Sequence, residues 1–246
     1  MPHLPVFLPV LFLSASLAAC SVAPPGTEIH DPYEPFNRQV HAFNKQLDES
    51  VLRPLARETE QAPEGLREVV LNFSGHAGLP GAVVNGLLQG DLEGAATNTA
   101  RFLVNSTLGL MGLADPAAEL GLTEVETDFG ETLAVWGVPE GAYLELPGLG
   151  PSTERDAVGR LVDFVLDPFD RLRAIPEPVR ALSLPAQIAE EVIERQQMGG
   201  LYDDILYGSA DSYAQARLIW LQNRRFELGQ TGADADVYFD PYAEAP

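Results

Sequence analysis

Apolar residues recur at helical spacing near the start of the predicted folded region. Five of them lie three or four positions apart and therefore share one face of an α-helix; they are Phe36, Val40, Phe43, Leu47 and Val51. We expect Arg53-Pro54 to end this helix, because the residue before a proline disfavours the helical conformation. A second helix is predicted to begin at Pro63, since proline favours the first helical position. Its apolar side consists of Leu66, Val69, Val70 and Phe73.

The stretch from Ala77 to Ala114 is poor in charge. Although 21% of the whole chain is charged, this stretch has only Asp91, Glu93 and Arg101. The pattern predicts a helical hairpin that turns at Gly90-Asp91, with Asp91 as the N-cap of an arm that returns to Ala114. Apolar residues are spread all around the second arm, which is typical of burial either in a protein core or in lipid. Both environments remain open on composition alone.

A short hairpin of strands and further helices are predicted downstream. Residues 133–138 and 143–146 have the composition of two strands that pair across Pro139-Glu140-Gly141. Thr153 is a predicted N-cap, with Asp156 completing a pair that resembles a capping box. Residues 184–207 and 210–228 have the pattern of two more amphipathic helices. The predicted fold class is therefore all-α with at most a short β-hairpin.

The N-terminus has the features of a bacterial lipoprotein signal. An apolar run is followed by Leu17-Ala18-Ala19-Cys20, and Cys20 is the chain's single cysteine. We predict a signal peptide over residues 1–19 and a lipidated tether over residues 20–30, because a thiolate can accept the diacylglyceryl group. The run is shorter than the ~20 residues of a membrane-spanning helix, which disfavours a transmembrane anchor. An ordinary cleaved signal with a free cysteine is the other alternative.

The charge of the chain limits its partners. The formal net charge is -21 at pH 7, and so acidic a surface repels the phosphates of nucleic acids. Nucleic acid is therefore excluded as a partner, whereas a basic soluble partner would be attracted. With one cysteine, the domain predicted over residues 31–228 has no disulfide. Residues 229–246 form an acidic tail that we expect to be disordered.

Catalytic and metal-binding patterns were sought in vain. The four histidines form no His-Glu-x-x-His pair, and no metal site or cofactor is predicted. Ser74 and His76 are close in sequence, but residues two apart on a helix do not face each other. The sequence therefore favours a protein that is not an enzyme, and a lipid hydrolase that uses Ser74 or His76 is kept only as a rival hypothesis.

Several separated motifs, in order, resemble the MlaA/VacJ family of outer-membrane lipoproteins over about residues 31–227. They begin with Asp31-Pro32-Tyr33-Glu34-Pro35-Phe36-Asn37-Arg38 and continue through Phe43-Asn44 and Arg53-Pro54. The later motifs are Asn85-Gly86-Leu87-Leu88-Gln89-Gly90-Asp91, residues 101–109 (RFLVNSTLG), Asp128-Phe129-Gly130-Glu131-Thr132-Leu133 and Trp136-Gly137.

This resemblance implies a ring-like helical domain with a membrane-embedded hairpin. It implies an amphipathic channel in a protein that is lipid-anchored to the outer membrane and faces the periplasm. Phospholipids misplaced in the outer leaflet would leave through the channel to a soluble periplasmic lipid carrier, beside trimeric porins. A structural adaptor without lipid passage is the rival reading.

Two segments are expected to border the passage, the arm from Phe102 to Leu113 and the region from Gly130 to Gly150. The residues predicted to line it or to contact lipid are Phe102, Asn105, Thr107, Leu110, Met111, Trp136 and Tyr143. The glycines predicted to act as hinges or to allow close packing are Gly109, Gly112, Gly130 and Gly137.

Overall fold

A computed structural model describes residues 29–230. The signal peptide, the lipidated Cys20 and residues 231–246 of the tail, all predicted above, lie outside this range. In the first half the helices are α1 (Glu34–Leu47), α2 (Arg53–Glu60), α3 (Glu64–Gln89), α4 (Leu92–Thr107), α5 (Pro116–Glu119) and α6 (Phe129–Val135). Strands β1 (Tyr143–Leu146) and β2 (Gly150–Thr153) follow. The second half contains α7 (Glu154–Leu166), α8 (Pro168–Arg171), α9 (Glu177–Arg180), α10 (Ser183–Gln197), α11 (Gly199–Asp203) and α12 (Ser212–Glu227).

Helices α3 and α4 form the predicted hairpin. Gly90 ends α3 in the left-handed conformation, and the Asp91 side chain caps α4 by accepting a hydrogen bond of 2.9 Å from the Gly94 backbone nitrogen. The helix predicted from Pro63 and the first arm of the hairpin are one continuous helix of 26 residues that passes through Pro80. An interior proline costs ~3 kcal/mol. The buried neighbours Leu79 and Ala82 supply packing that offsets this cost.

The second arm of the hairpin ends earlier than predicted. Helix α4 stops at Thr107, and a turn follows in which Leu110 and Met111 have φ of 54° and 63°. The Gly112 backbone nitrogen donates to the Asn105 carbonyl at 3.0 Å, which folds the turn back onto the end of the helix. The hydrophobic pattern up to Ala114 therefore continues beyond the helix itself.

Pro54 does not end the first helical region. Helix α1 continues through a π-helical segment, Asp48–Leu52, directly into α2. The wider turn changes the hydrogen-bond register just before the proline, which accommodates the missing N–H. A tertiary contact supports it, because buried Asp48 accepts hydrogen bonds of 2.7 and 3.0 Å from Arg195 on α10. A second π-helical segment, Asp204–Gly208, links α11 towards α12, and its Tyr207 hydroxyl donates to Asp48 at 2.7 Å.

The predicted pairing of residues 133–138 with 143–146 is wrong. Most of the first segment belongs to α6, because the Asp128 side chain caps that helix at the Glu131 backbone nitrogen. Strand β1 pairs instead with β2, antiparallel, with Tyr143 opposite Thr153. The predicted Thr153 cap is confirmed, since its side chain accepts a hydrogen bond from the Asp156 backbone nitrogen.

The buried core lies in two separate clusters. One consists of Phe73, Ala77, Phe169 and Ile175, and the other of Tyr143, Tyr213 and Leu221. The first joins α3 to α8 and its following loop, and the second joins β1 to α12. The fold class predicted from the sequence is confirmed, since the described chain is helical apart from one two-stranded hairpin.

Candidate functional site

The hairpin of α3 and α4 exposes large apolar side chains. Leu87, Leu92 and Leu103 are each more than half exposed, at 55%, 68% and 59%. The full exposed set on the two helices is Leu66, Val84, Leu87, Leu88, Leu92 and Leu103. Clustered exposed apolar residues mark a surface that contacts another apolar phase.

The same two helices bury polar side chains. Those that are almost fully buried are Ser74, His76, Asn85, Asn98, Arg101 and Asn105. The Asn98 amide both donates to and accepts from the Val125 backbone, at 2.8 and 3.1 Å. Arg101 donates to Asp115 at 2.8 Å and to the Leu122 carbonyl. The hairpin is therefore polar on its inner side and apolar on its outer side, the reverse of a helix on a water-soluble core.

Acidic side chains lie between α3, α10 and the loop before α6. The Ser74 hydroxyl donates to Glu190 at 2.6 Å, and Glu124 lies near Arg101 at 3.5 Å. Burial raises the pKa of Glu190, and the nearby Glu194 and Glu124 raise it further. Burial also raises the pKa of Glu124, against the attraction of Arg101. The region is polar but its carboxyl groups take up protons more readily than in water.

Two residues of the hairpin region stay in defined charge states. Burial opposes the ionisation of Asp115, but hydrogen bonds from Asn105, the Ala118 backbone and Arg101 outweigh it and lower the pKa of Asp115. Burial lowers the pKa of His76 to about 4. At neutral pH the hairpin therefore holds an ionised Asp115 and an uncharged His76.

The apolar outer surface continues from the hairpin onto neighbouring elements. The Trp136 indole N–H donates to the Leu88 carbonyl at 3.0 Å, and Asn85 on α3 donates to Asp163 on α7 at 3.0 Å. These contacts join the exposed face of α3 to the exposed Trp136 and to Phe164 on α7. Among the described residues no helix is both long and apolar enough to cross a membrane.

Comparison with known proteins identifies this architecture. The model of a family described as MlaA lipoprotein matches residues 29–227. The chain belongs to the MlaA lipoprotein family.

Relatives of the family agree over most of their length. The chain is 33% identical over 221 residues to the intermembrane phospholipid transport system lipoprotein MlaA of Escherichia coli K12, covering 87% of this chain and 84% of that protein. A Rickettsia bellii protein is 33% identical over 192 residues, which cover 77% of this chain and 73% of that one. A solved structure, described as a structural basis for maintenance of bacterial outer membrane lipid asymmetry, superposes with a TM-score of 0.68 at 30% identity. It covers 80% of this chain and 98% of its own.

The residues predicted from the MlaA resemblance to line a passage lie in different environments. Phe102 stacks on His76 with ring centroids 4.8 Å apart, and both Phe102 and Met111 pack against the first core cluster. Asn105 is buried, where it donates to Asp115 at 2.8 Å. Tyr143 is 1% exposed and belongs to the second cluster.

The other predicted contact residues of this MlaA-family chain lie at the surface. Thr107 is exposed and its hydroxyl donates to the Leu103 carbonyl at 2.7 Å. Leu110 and Trp136 are 70% and 51% exposed. The structure therefore does not bring the seven residues together in one place. Their contact with lipid stays a prediction.

Three of the four predicted glycines lie where a side chain has no room. A Cβ atom would lie 2.4 Å from the Ala114 carbonyl oxygen at Gly109, and 2.5 Å from both the His76 ring at Gly112 and an Asp156 oxygen at Gly130. Around Gly137 no atom of the described chain lies within 4 Å of that position. Sequence reasoning missed Gly159, which contacts the Gly130 backbone, because a lone glycine in a helical pattern carries no signal of close approach.

Asn37 and Asn44 are two further residues that the motif contained but that no role was predicted for. The Asn37 amide donates to the Tyr143 carbonyl and accepts from the Glu145 backbone nitrogen, both at 3.0 Å. Asn44 donates to the Leu146 carbonyl at 2.9 Å and accepts from Gly148 at 2.7 Å. Both asparagines therefore hold the β1 strand and its turn against α1.

Hydroxyl and imidazole groups meet at two places in the fold. Ser74 donates to Glu190 and not to His76, whose Nε2 lies 3.3 Å from the Ser106 hydroxyl. Elsewhere His41 lies 3.0 Å from Ser212 and 3.2 Å from Glu145.

The second arrangement has the order of a hydrolase triad, but its surroundings oppose catalysis. The Asp211 carboxylate accepts from the Ala214 backbone nitrogen at 3.1 Å, so this N–H of the α12 terminus is already occupied. A fixed negative charge there would also destabilise an oxyanion that forms at Ser212. We assign no catalytic role to Ser212. In the described part of the chain no group of acidic, histidine or cysteine side chains could hold a metal.

Proposed function

We propose that this protein maintains the lipid asymmetry of the outer membrane. In this proposal, lipid on Cys20 anchors it there, facing the periplasm. It removes phospholipids from the outer leaflet through an amphipathic passage and passes them to a soluble periplasmic carrier, beside trimeric porins. The MlaA family match, and the phospholipid-transport name of the Escherichia coli relative, support this proposal.

The single observation that carries the proposal is the reversed hairpin of α3 and α4. Fully burying one leucine away from water contributes ~1.5–3 kcal/mol. The exposed Leu87, Leu92 and Leu103 forgo this contribution in water and recover it when they contact acyl chains. An outer surface of this kind on a lipid-anchored chain favours a partly embedded domain over a soluble one.

The inner side of the hairpin supports a route for headgroups. A polar group crosses bare hydrocarbon only at a high cost in free energy, unless hydrogen-bonding partners replace water. Ser74, Glu124 and Glu190 are such partners on the inner side. Acyl chains would follow the apolar outer residues while the headgroup keeps to the polar interior.

Outer-leaflet phospholipid in intact cells tests the proposal. Cells that lack the protein are complemented with the native chain or with Cys20→Ala. We expect phospholipid to accumulate in the outer leaflet without the protein, and only the native chain to reverse it. Accumulation that neither chain changes would contradict the proposal and favour the structural adaptor. The adaptor also predicts that protein purified in mild detergent holds no phospholipid.

A further inference from the structure

We infer that a cleft between α7 and α12 binds the zwitterionic headgroup of a phospholipid, a phosphate together with an ammonium group. This inference rests on the proposed function and adds a headgroup class to it. The cleft has a volume of about 240 Å³, enough for a small headgroup. Its lining residues are Asp128, Asp156, Arg160, Trp220, Asn223, Arg224 and Glu227.

The cleft has a donor suited to a phosphate. Arg160 is exposed and donates one N–H to the Leu149 carbonyl at 3.1 Å. A guanidinium has five N–H donors in a fork that matches phosphate oxygens, so Arg160 retains donors for a ligand. The second guanidinium, Arg224, is engaged by Asp128 at 2.8 Å, by Asp156 at 3.2 Å and by Glu227 at 3.3 Å.

The cleft also has groups suited to an ammonium. The side chains of Asp128 and Glu227 are 44% and 49% exposed, so each still has oxygen surface open to a ligand. Trp220 forms a further wall, and an indole face attracts cations.

Its charge balance selects between headgroups. The three carboxylates Asp128, Asp156 and Glu227 outnumber the two guanidinium groups by one. An anionic headgroup without an amine is therefore repelled, whereas a zwitterion places its ammonium on the carboxylates and its phosphate on Arg160.

An apolar stripe begins where the cleft ends, which indicates an amphiphile as the ligand. Leu161, Phe164 and Val165 on α7 are 62%, 70% and 54% exposed. Phe164 follows Arg160 by four residues, so the two share a helix face about 6 Å apart along the axis. A lipid whose phosphate contacts Arg160 can lay an acyl chain along Phe164. A free phosphate ion would gain nothing from this stripe.

Trp220 allows the inference to be tested in the lipidated chain in detergent. The chain has two tryptophans, so Trp136→Phe leaves Trp220 as the sole reporter. We expect short-chain phosphatidylethanolamine to change Trp220 fluorescence at lower concentration than short-chain phosphatidylglycerol. Inorganic phosphate is expected to have no effect. Arg160→Gln should weaken phosphatidylethanolamine binding about tenfold or more, as loss of a charge-assisted hydrogen bond does.

Two further variants separate a specific site from general charge effects. Glu227→Gln removes an ammonium partner and should narrow the preference for phosphatidylethanolamine. Arg57→Gln, a matched change on exposed α2, should leave binding unchanged. Equal affinity for both lipids, or equal loss in Arg57→Gln and Arg160→Gln, would overturn the inference. Failure of the native chain in the cellular assay would instead overturn the proposed function.

Discussion

A Cβ atom added to Gly159 would lie 2.3 Å from the backbone nitrogen of Gly130, so α6 and α7 are in backbone contact at this point. The contact places the Asp128 cap of α6 beside Arg224 of α12, at 2.8 Å. Any side chain at residue 159 would therefore separate three elements at once.

We expect Gly159→Ala to lower the free energy of unfolding by about 3 kcal/mol, the upper range for overpacking. Denaturant unfolding of the purified protein measures this change. Gly78→Ala is the matched control, because Gly78 lies inside α3 with no atom of the described chain within 4 Å of an added Cβ. This control should stabilise by about 0.5–1 kcal/mol. Equal stability of the two variants would contradict the close contact.

Gly112 and Gly137 form a second matched pair. Their φ angles are 87° and 84°, so replacement by alanine costs similar backbone strain at both. Only at Gly112 would the Cβ also meet the His76 ring, at 2.5 Å. We expect Gly112→Ala to lower the melting temperature by several degrees more than Gly137→Ala. Similar melting temperatures would show that the ring moves aside freely.

The Asp48–Arg195 pair connects α1 to α10 in the interior, and both residues are about 5% exposed or less. Arg195→Met leaves a buried carboxylate without its partner, so we expect a loss of about 3–5 kcal/mol in the free energy of unfolding. Arg38→Gln breaks an exposed pair with Asp211 and should cost about 1 kcal/mol or less. Chemical denaturation at neutral pH compares the two, and equal losses would refute a central role for the buried pair.

The raised pKa of Glu190 predicts a pH-dependent stability difference. A carboxyl group whose pKa is higher in the folded protein stabilises the fold below its unfolded pKa, and this contribution is lost as pH rises through the folded pKa. Glu190→Gln should therefore melt at a higher temperature than the native chain at pH 8, and this advantage should vanish near pH 4. An advantage that is constant with pH would contradict burial as the cause.

Trp136 reports how the apolar surface meets lipid. In a Trp220→Phe chain, the remaining indole lies beside Leu88 at the end of α3, and tryptophan favours the interface between membrane and water. Brominated phospholipids in vesicles should quench its fluorescence, more strongly with bromine near the headgroup than near the terminal methyl. Absence of quenching at either depth would place this surface outside the membrane.

The sequence by itself determined the local features of this protein. The turn at Gly90-Asp91, the Thr153 cap and the low charge of the hairpin depend on neighbours within a few residues, so their physical causes are visible in the pattern. The motifs from Asp31 to Trp136 also identified the family. Composition could not decide which side of the hairpin faces inward, because that depends on what packs against each face.

Only the tertiary structure decided the features that depend on distant residues. The π-helical turn before Pro54 is supported by Arg195, and Tyr143 is buried because Asn37 and α12 enclose β1. The contact between Gly130 and Gly159 and the cleft at Arg160 likewise join segments that are far apart in the chain. Local periodicity carries no information about such contacts, because it records which residues share a face and not which face meets it.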